Sequence, residues 1–129
     1  MKFQDYLYER PNVDLLKENL NDLTKKVENA KSFEEVDNAI QEYILLDNEY
    51  SSMATLVSIR NSINTQDEYY EKEQEFFDTV GPELSEYYQN FNLALYNSSF
   101  RVELVKKYGS KVFREIELEL KTFKPEIIE

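Results

Sequence analysis

Four carboxylates, Glu68, Glu71, Glu75 and Asp78, recur at intervals of three and four residues, a spacing that lines them along one side of a helix. Such a row could hold a hard divalent cation. Helical bundles that bind metal through carboxylates, however, pair Glu with a Glu-x-x-His motif, and this sequence has no His and no Cys. Those two absences remove the standard zinc ligands, the usual neutral-pH general base, and any Ser-His-Asp or Cys-His pair. The four acids therefore read as a solvated helix face. Asp47-Asn-Glu49 lacks the glycine and the terminal glutamate of a calcium loop. With two glycines, Gly81 and Gly109, no glycine-rich phosphate loop can be built. The aromatic doublets Tyr69-Tyr70, Phe76-Phe77 and Tyr87-Tyr88, drawn from ten Tyr and eight Phe, suggest a ligand groove. Their spacing suits core filling better, with phenol hydroxyls reaching the rim. No catalytic, cofactor-binding or metal-binding residue is assigned from the sequence.

The elements that position these residues belong to one domain, since 129 residues leave room for a single modest core. With 41% hydrophobic and 32% charged residues, the chain has too many apolar groups for disorder and too many charges for a membrane span. The N-terminus lacks a signal peptide's apolar core, and zero Cys agrees with a cytoplasmic protein. Fifteen Lys+Arg against 26 Asp+Glu leave a net charge of −11. That surface repels phosphate backbones and anionic lipid and mildly favours cationic ligands. Neither nucleic acid nor membrane is expected as a partner.

The periodicity is helical throughout. Residues 1–11, with Phe3, Tyr6, Leu7 and Tyr8 ahead of Pro11, read as an extended arm whose aromatics lie against a bundle formed by 12–129. A first helix from about Asn12 to Ala30 carries Val13, Leu16, Leu20, Leu23 and Val27 on one seam. Ser32-Phe-Glu-Glu35 is a capping box opening a second helix, which meets no Pro or Gly before Asn64. Thr65-Gln-Asp-Glu68 opens a third, in which Gly81-Pro82 predicts a kink or break. Asn97-Ser-Ser99 ends it. Short helices follow from Phe100 to Tyr108, with Gly109 as its stop, and from Ser110 toward Phe123, where Lys124-Pro125 interrupts. The expected class is all-α: an elongated antiparallel helical bundle.

The second helix carries one anomaly. Beside its Phe33, Val36, Ile40, Tyr43, Tyr50, Ala54, Val57 stripe, which Asp47 interrupts, a second apolar stripe runs through Met53, Leu56, Ile59 and Ile63. A helix apolar on two sides is normally buried on two sides. Either it is the central helix of this bundle, or the second stripe is a docking face for another region or a second copy. In the latter case Leu56→Asp would dissociate the chain without unfolding it. Arg60 and Asn61 would need partners if buried.

Several stretches taken together carry a family resemblance. They are Lys2-Phe-Gln-Asp-Tyr-Leu-Tyr-Glu-Arg-Pro11, Asn29-Ala-Lys-Ser-Phe-Glu-Glu35, Ser52-Met-Ala-Thr-Leu-Val-Ser-Ile-Arg60, Asn64-Thr-Gln-Asp-Glu-Tyr-Tyr70, Glu75-Phe-Phe-Asp78 and Leu120-Lys-Thr-Phe-Lys-Pro-Glu-Ile-Ile-Glu129. In order and spacing the chain resembles the N-terminal region of the oligoendopeptidase F group of zinc metallopeptidases, relatives of thimet oligopeptidase. The resemblance implies a mostly helical two-lobed enzyme around a channel that admits short peptides. It also implies a zinc ion held by a His-Glu-x-x-His helix and a later glutamate. That motif is absent here, so no catalytic or metal role passes to any residue of this sequence.

The expectation is an N-terminal lobe that walls the substrate channel of a cytosolic zinc oligopeptidase, cut off from its C-terminal catalytic domain. Glu126-Ile-Ile-Glu129 fits such a truncation, reading as the first turn of an uncompleted helix. The lobe's partners would be that domain and, for the parent enzyme, short peptide substrates. The fragment itself would have no cofactor and no activity, and self-association is open to it. The rival from another class is a stand-alone acidic helical adaptor, binding a partner or itself through the second stripe.

Overall fold

Asn12 opens the first helix, α1 (Val13–Glu28), its side-chain oxygen accepting the Leu15 N–H at 3.1 Å. This is one of the donors that a helix start leaves without an internal partner. The structure is a computed structural model and describes residues 7–64, 66 and 68–123. Phe3 and Tyr6 of the arm, the Thr65 cap, the Lys124-Pro125 interruption and the 126–129 turn lie outside the described residues.

Four helices follow: α2 (Phe33–Ile63), α3 (Glu68–Tyr96), α4 (Arg101–Tyr108) and α5 (Ser110–Phe123). No strand occurs among the described residues, and the all-α class expected from the sequence is what forms. The Ser32 cap works as its spacing predicts, its hydroxyl accepting the Glu35 N–H at 3.3 Å. Glu35 reaches back one residue further than the capping box requires, taking the Lys31 N–H at 2.6 Å. From there α2 runs unbroken for 31 residues, roughly 46 Å at 1.5 Å per residue. Asn64 then turns the chain, its side-chain oxygen accepting the Gln66 N–H at 3.3 Å.

Contacts between α2 and α3 fix their direction. Arg60 donates to the Tyr70 hydroxyl at 3.0 Å, the Tyr50 and Phe77 rings sit 5.5 Å apart, and Tyr43 stacks on Phe91 at 4.3 Å. Numbers falling along one helix meet numbers rising along the other, so the two form an antiparallel hairpin. Helix α1 lies along that hairpin parallel to α3. Its Leu16 and Leu20 meet Val80 and Leu84, and its Leu23 and Val27 join Phe91 and Leu95. The second cluster is the larger. Val36, Ala39 and Ile40 of α2, Leu104 of α4, and Phe113, Ile116 and Leu120 of α5 complete it. The three α5 residues are spaced three and four apart and are buried, while Val112 and Leu118 of the same helix face solvent.

Of the kink or break expected at Gly81-Pro82, the break does not occur. Helix α3 passes through Pro82, although proline deletes a helical hydrogen bond at a cost near ~3 kcal/mol. The carbonyl left without a donor is that of Asp78, and both Asp78 and Pro82 face solvent, where water can satisfy it. Val80 and Leu84 on the opposite side are buried against α1. Packing outweighs the missing bond.

Glycine 109 does end α4. It sits at φ 97° and ψ 150°, a region open almost exclusively to glycine, and its N–H closes the helix onto Val105 O at 2.8 Å. Gly109→Ala should therefore cost about 1–3 kcal/mol, read as a lowered urea midpoint with an unchanged slope. An unchanged midpoint would show that the turn has a second, unstrained geometry.

Candidate functional site

Helix α1 does not reach the far half of the α2–α3 hairpin, and there the arm takes its place. Residues 7–12 are non-helical. Tyr8 enters a cage of rings on α3, with centroids 6.3 Å from Tyr69, 6.3 Å from Tyr70 and 6.4 Å from Phe77, the edge-to-face separations that aromatic quadrupoles favour. Its hydroxyl donates to Glu73 Oε1 at 2.6 Å. Arg10 binds the same carboxylate with two donors, Nε to Oε1 at 2.9 Å and Nη2 to Oε2, while its guanidinium lies 4.3 Å from the centre of the Phe76 ring.

Glu73 is 5% exposed, and an ion so buried persists only when paired and hydrogen-bonded. The Arg10 guanidinium, and after it the Tyr8 hydroxyl, hold its carboxyl below the ordinary value against the opposing effect of burial. Burial, and then the carboxylate, push the Tyr8 hydroxyl well up. The result is an ionised acid whose oxygens are both in use beside a phenol that keeps its proton. Such a group does not exchange protons near neutral pH; it recognises a guanidinium and a phenol.

A second cluster is built alike. Asp37 on α2 takes the Lys107 ammonium at 2.6 Å and the Tyr108 O–H, and Gln41 donates to the Tyr108 oxygen at 2.9 Å. Lys107, then Tyr108, lower the Asp37 carboxyl, and α4 is pinned to α2. Between the two clusters, Tyr43 and Tyr88 meet edge to face at 5.8 Å. Their hydroxyls are pushed up by burial first and by the Asp47 carboxylate second. The Tyr88 hydroxyl is buried and makes no hydrogen bond of good geometry among the described residues. Core-filling aromatics of this spacing were expected to carry their hydroxyls to the rim; Tyr88 does not.

The residues singled out from the sequence are scattered. Glu68, Glu71, Glu75 and Asp78 are all exposed, as a solvated face requires, and no group of three or more potential ligands that could hold a metal occurs among the described residues. The Met53–Ile63 stripe divides. Met53 is half-buried, its sulfur 3.5 Å from the Glu9 N–H of the arm. Leu56 is 4% exposed, while Ile59 is 38% and Ile63 75% exposed. An Asp at position 56 would thus bury a charge in this chain's own interior, so Ile63 is the residue that can report on docking. Glu73, which sequence reasoning passed over, is the acid that matters. Its signal was its place three or four residues from Tyr69, Tyr70, Phe76 and Phe77, on the apolar side of α3.

A family model described as the peptidase M3 N-terminal domain matches residues 3–123. A solved structure assigned as an oligoendopeptidase F superposes with a TM-score of 0.92 at 36% identity, covering 99% of this chain and 23% of that one. PZ peptidase A, solved with an inhibitor, gives 0.92 at 38% identity over 98% of this chain and 23% of its own. A protein assigned as oligoendopeptidase F from Bacillus anthracis str. Ames gives the same values. The chain thus spans about a quarter of the length of these proteins. No curated protein matches it.

The lowered Glu73 carboxyl gives the arm contact a pH sign. Because the folded value lies below the unfolded one, near 4.3, the stabilisation is complete above that pH and disappears as acid protonates the folded group. Arg10→Ala should cost about 1–3 kcal/mol at neutral pH and flatten the loss of stability between about pH 5 and pH 3, both followed by urea unfolding. An unchanged acid slope in the variant would show that Glu73 does not depend on Arg10.

Proposed function

Since the chain belongs to the peptidase M3 family, as its N-terminal domain, we propose that it is the N-terminal helical lobe of an oligoendopeptidase F-like zinc enzyme that hydrolyses short peptides in the cytoplasm. The observation that carries this reading is the likeness to oligoendopeptidases over nearly the whole of this chain and only a quarter of theirs. No helix among the described residues is long and apolar enough to cross a membrane.

In this reading the lobe contributes shape rather than chemistry. Without His or Cys this chain's residues do not fit a catalytic zinc, so no step of hydrolysis is routed through them. The stiff α2–α3 hairpin would wall the channel and limit access by size. Its exposed end at Ile59 and Ile63 is where the remainder of the peptidase would sit. Burying large aliphatic side chains of that exposure contributes about 25 cal/mol per Å² of apolar surface removed from water.

The mass and zinc content of the native product, captured with an antibody to this segment, test the proposal. A chain several times heavier than 15.4 kDa that carries zinc is expected. A metal-free native chain of 15.4 kDa would overturn it in favour of an independent binding module.

A further inference from the structure

The arm behaves as a peptide ligand that happens to be tethered. Leu7 is 89% exposed and Glu9 is exposed, whereas the Tyr8 side chain is half-buried on α3 and that of Arg10, though itself about half exposed, reaches back to the same helix. That alternation is what an extended chain shows to a surface it lies against. The described hydrogen bonds holding it run mainly through side chains. The main-chain contribution, Glu9 N–H to the Met53 sulfur at 3.5 Å, is weak because thioether sulfur is a poor acceptor. Nothing in these contacts requires covalent continuity with α1.

We propose that the α3 face formed by Tyr69, Tyr70, Glu73, Phe76 and Phe77 is a binding site for extended peptides bearing a tyrosine and, two residues later, an arginine, and that Tyr8-Glu9-Arg10 is its intramolecular occupant. The aromatic cage takes the phenol ring, and Glu73 Oε1 takes its hydroxyl. The arginine position is the more selective. A planar fork is needed to reach both carboxylate oxygens while lying over Phe76, and a lysine ammonium cannot do both. A carboxylate that is 5% exposed also penalises any occupant that leaves it unpaired. The net charge of −11 draws cationic peptides toward the surface. The site goes beyond the peptidase reading and stands without it, because binding here involves no cleavage.

A tether of this kind gives the arm an effective concentration of order millimolar, so a free peptide competes poorly until the arm's anchors are removed. The full chain carrying Tyr8→Ser and Arg10→Ser is titrated into a fluorescently labelled Leu-Tyr-Glu-Arg-Pro-Asn peptide, the sequence of residues 7–12, and anisotropy is followed. The double variant should bind at least about tenfold more tightly than the unaltered chain. Adding Glu73→Gln to it, or replacing the peptide's arginine with lysine, should each weaken binding by about tenfold or more. Equal binding by the unaltered chain and the double variant, or indifference to Glu73→Gln, overturns the proposal. If the double variant proves unfolded, millimolar peptide should restore its helical circular dichroism, and failure to do so overturns the proposal equally. Sedimentation of the unaltered chain as a dimer at the same concentrations would assign the groove to arm exchange between copies and overturn the free-peptide site.

Discussion

A mismatch of lengths governs this structure. Helices α2 and α3 run for 31 and 29 residues, while α1, the third member of the bundle, has 16. At 1.5 Å per residue, roughly 20 Å of hairpin is left without its third helix. Two long helices pressed together do not bury enough surface by themselves, since most helix stability comes from tertiary packing of the apolar face. The chain meets the shortfall differently at the two ends. At the open end, where α2 begins and α3 finishes, α4 and α5 fold back to complete the larger cluster. At the tip, the arm lies along α3 as a ribbon of side chains.

The two solutions differ in chemistry because a ribbon cannot pack as a helix does. An extended segment presents every second residue to the surface below, so two inward side chains, Tyr8 and Arg10, must hold the described part of the arm. Tyrosine and arginine are suited to this, because each carries a large apolar or delocalised body and a polar end that binds with direction. Glu73 gives both polar ends one target, and both of its oxygens are taken up by them. The Asp37 cluster adds a polar tie to α4, an eight-residue helix whose Leu104 is already buried in the larger cluster.

This division explains what could be read in the sequence. The helices were legible because each repeats a local signal many times: the α1 seam, the Ser32 cap, the Gly109 stop. So was the solvated face of Glu68, Glu71, Glu75 and Asp78, whose period marks it. That Pro82 does not break α3 was not legible, because its local penalty is fixed, while the packing that offsets it, Val80 and Leu84 on α1, is long-range. The stripe from Met53 to Ile63 has the period of one face, but the arm and the hairpin cover only part of it, and that division is again set by long-range packing. Glu73 is hidden in a run of acids that includes Glu68, Glu71, Glu75 and Asp78. Its partners, Tyr8 and Arg10, lie far earlier in the chain, in a segment with no periodicity of its own.

The ionisable groups of the two clusters share one direction of perturbation. Proton-transfer catalysis calls for carboxylates pushed up toward neutrality or phenols and amines pulled down toward it. Here Glu73 and Asp37 are held lower. Tyr8, Tyr43, Tyr50, Tyr88 and Tyr108 are held higher, as are Arg10 and Lys107. Each group is driven further into the form it already has at neutral pH. Those environments hold the charges and protons that the ion pairs and ring contacts use. The same chemistry that straps the arm to α3 equips that face to distinguish one peptide side chain from another.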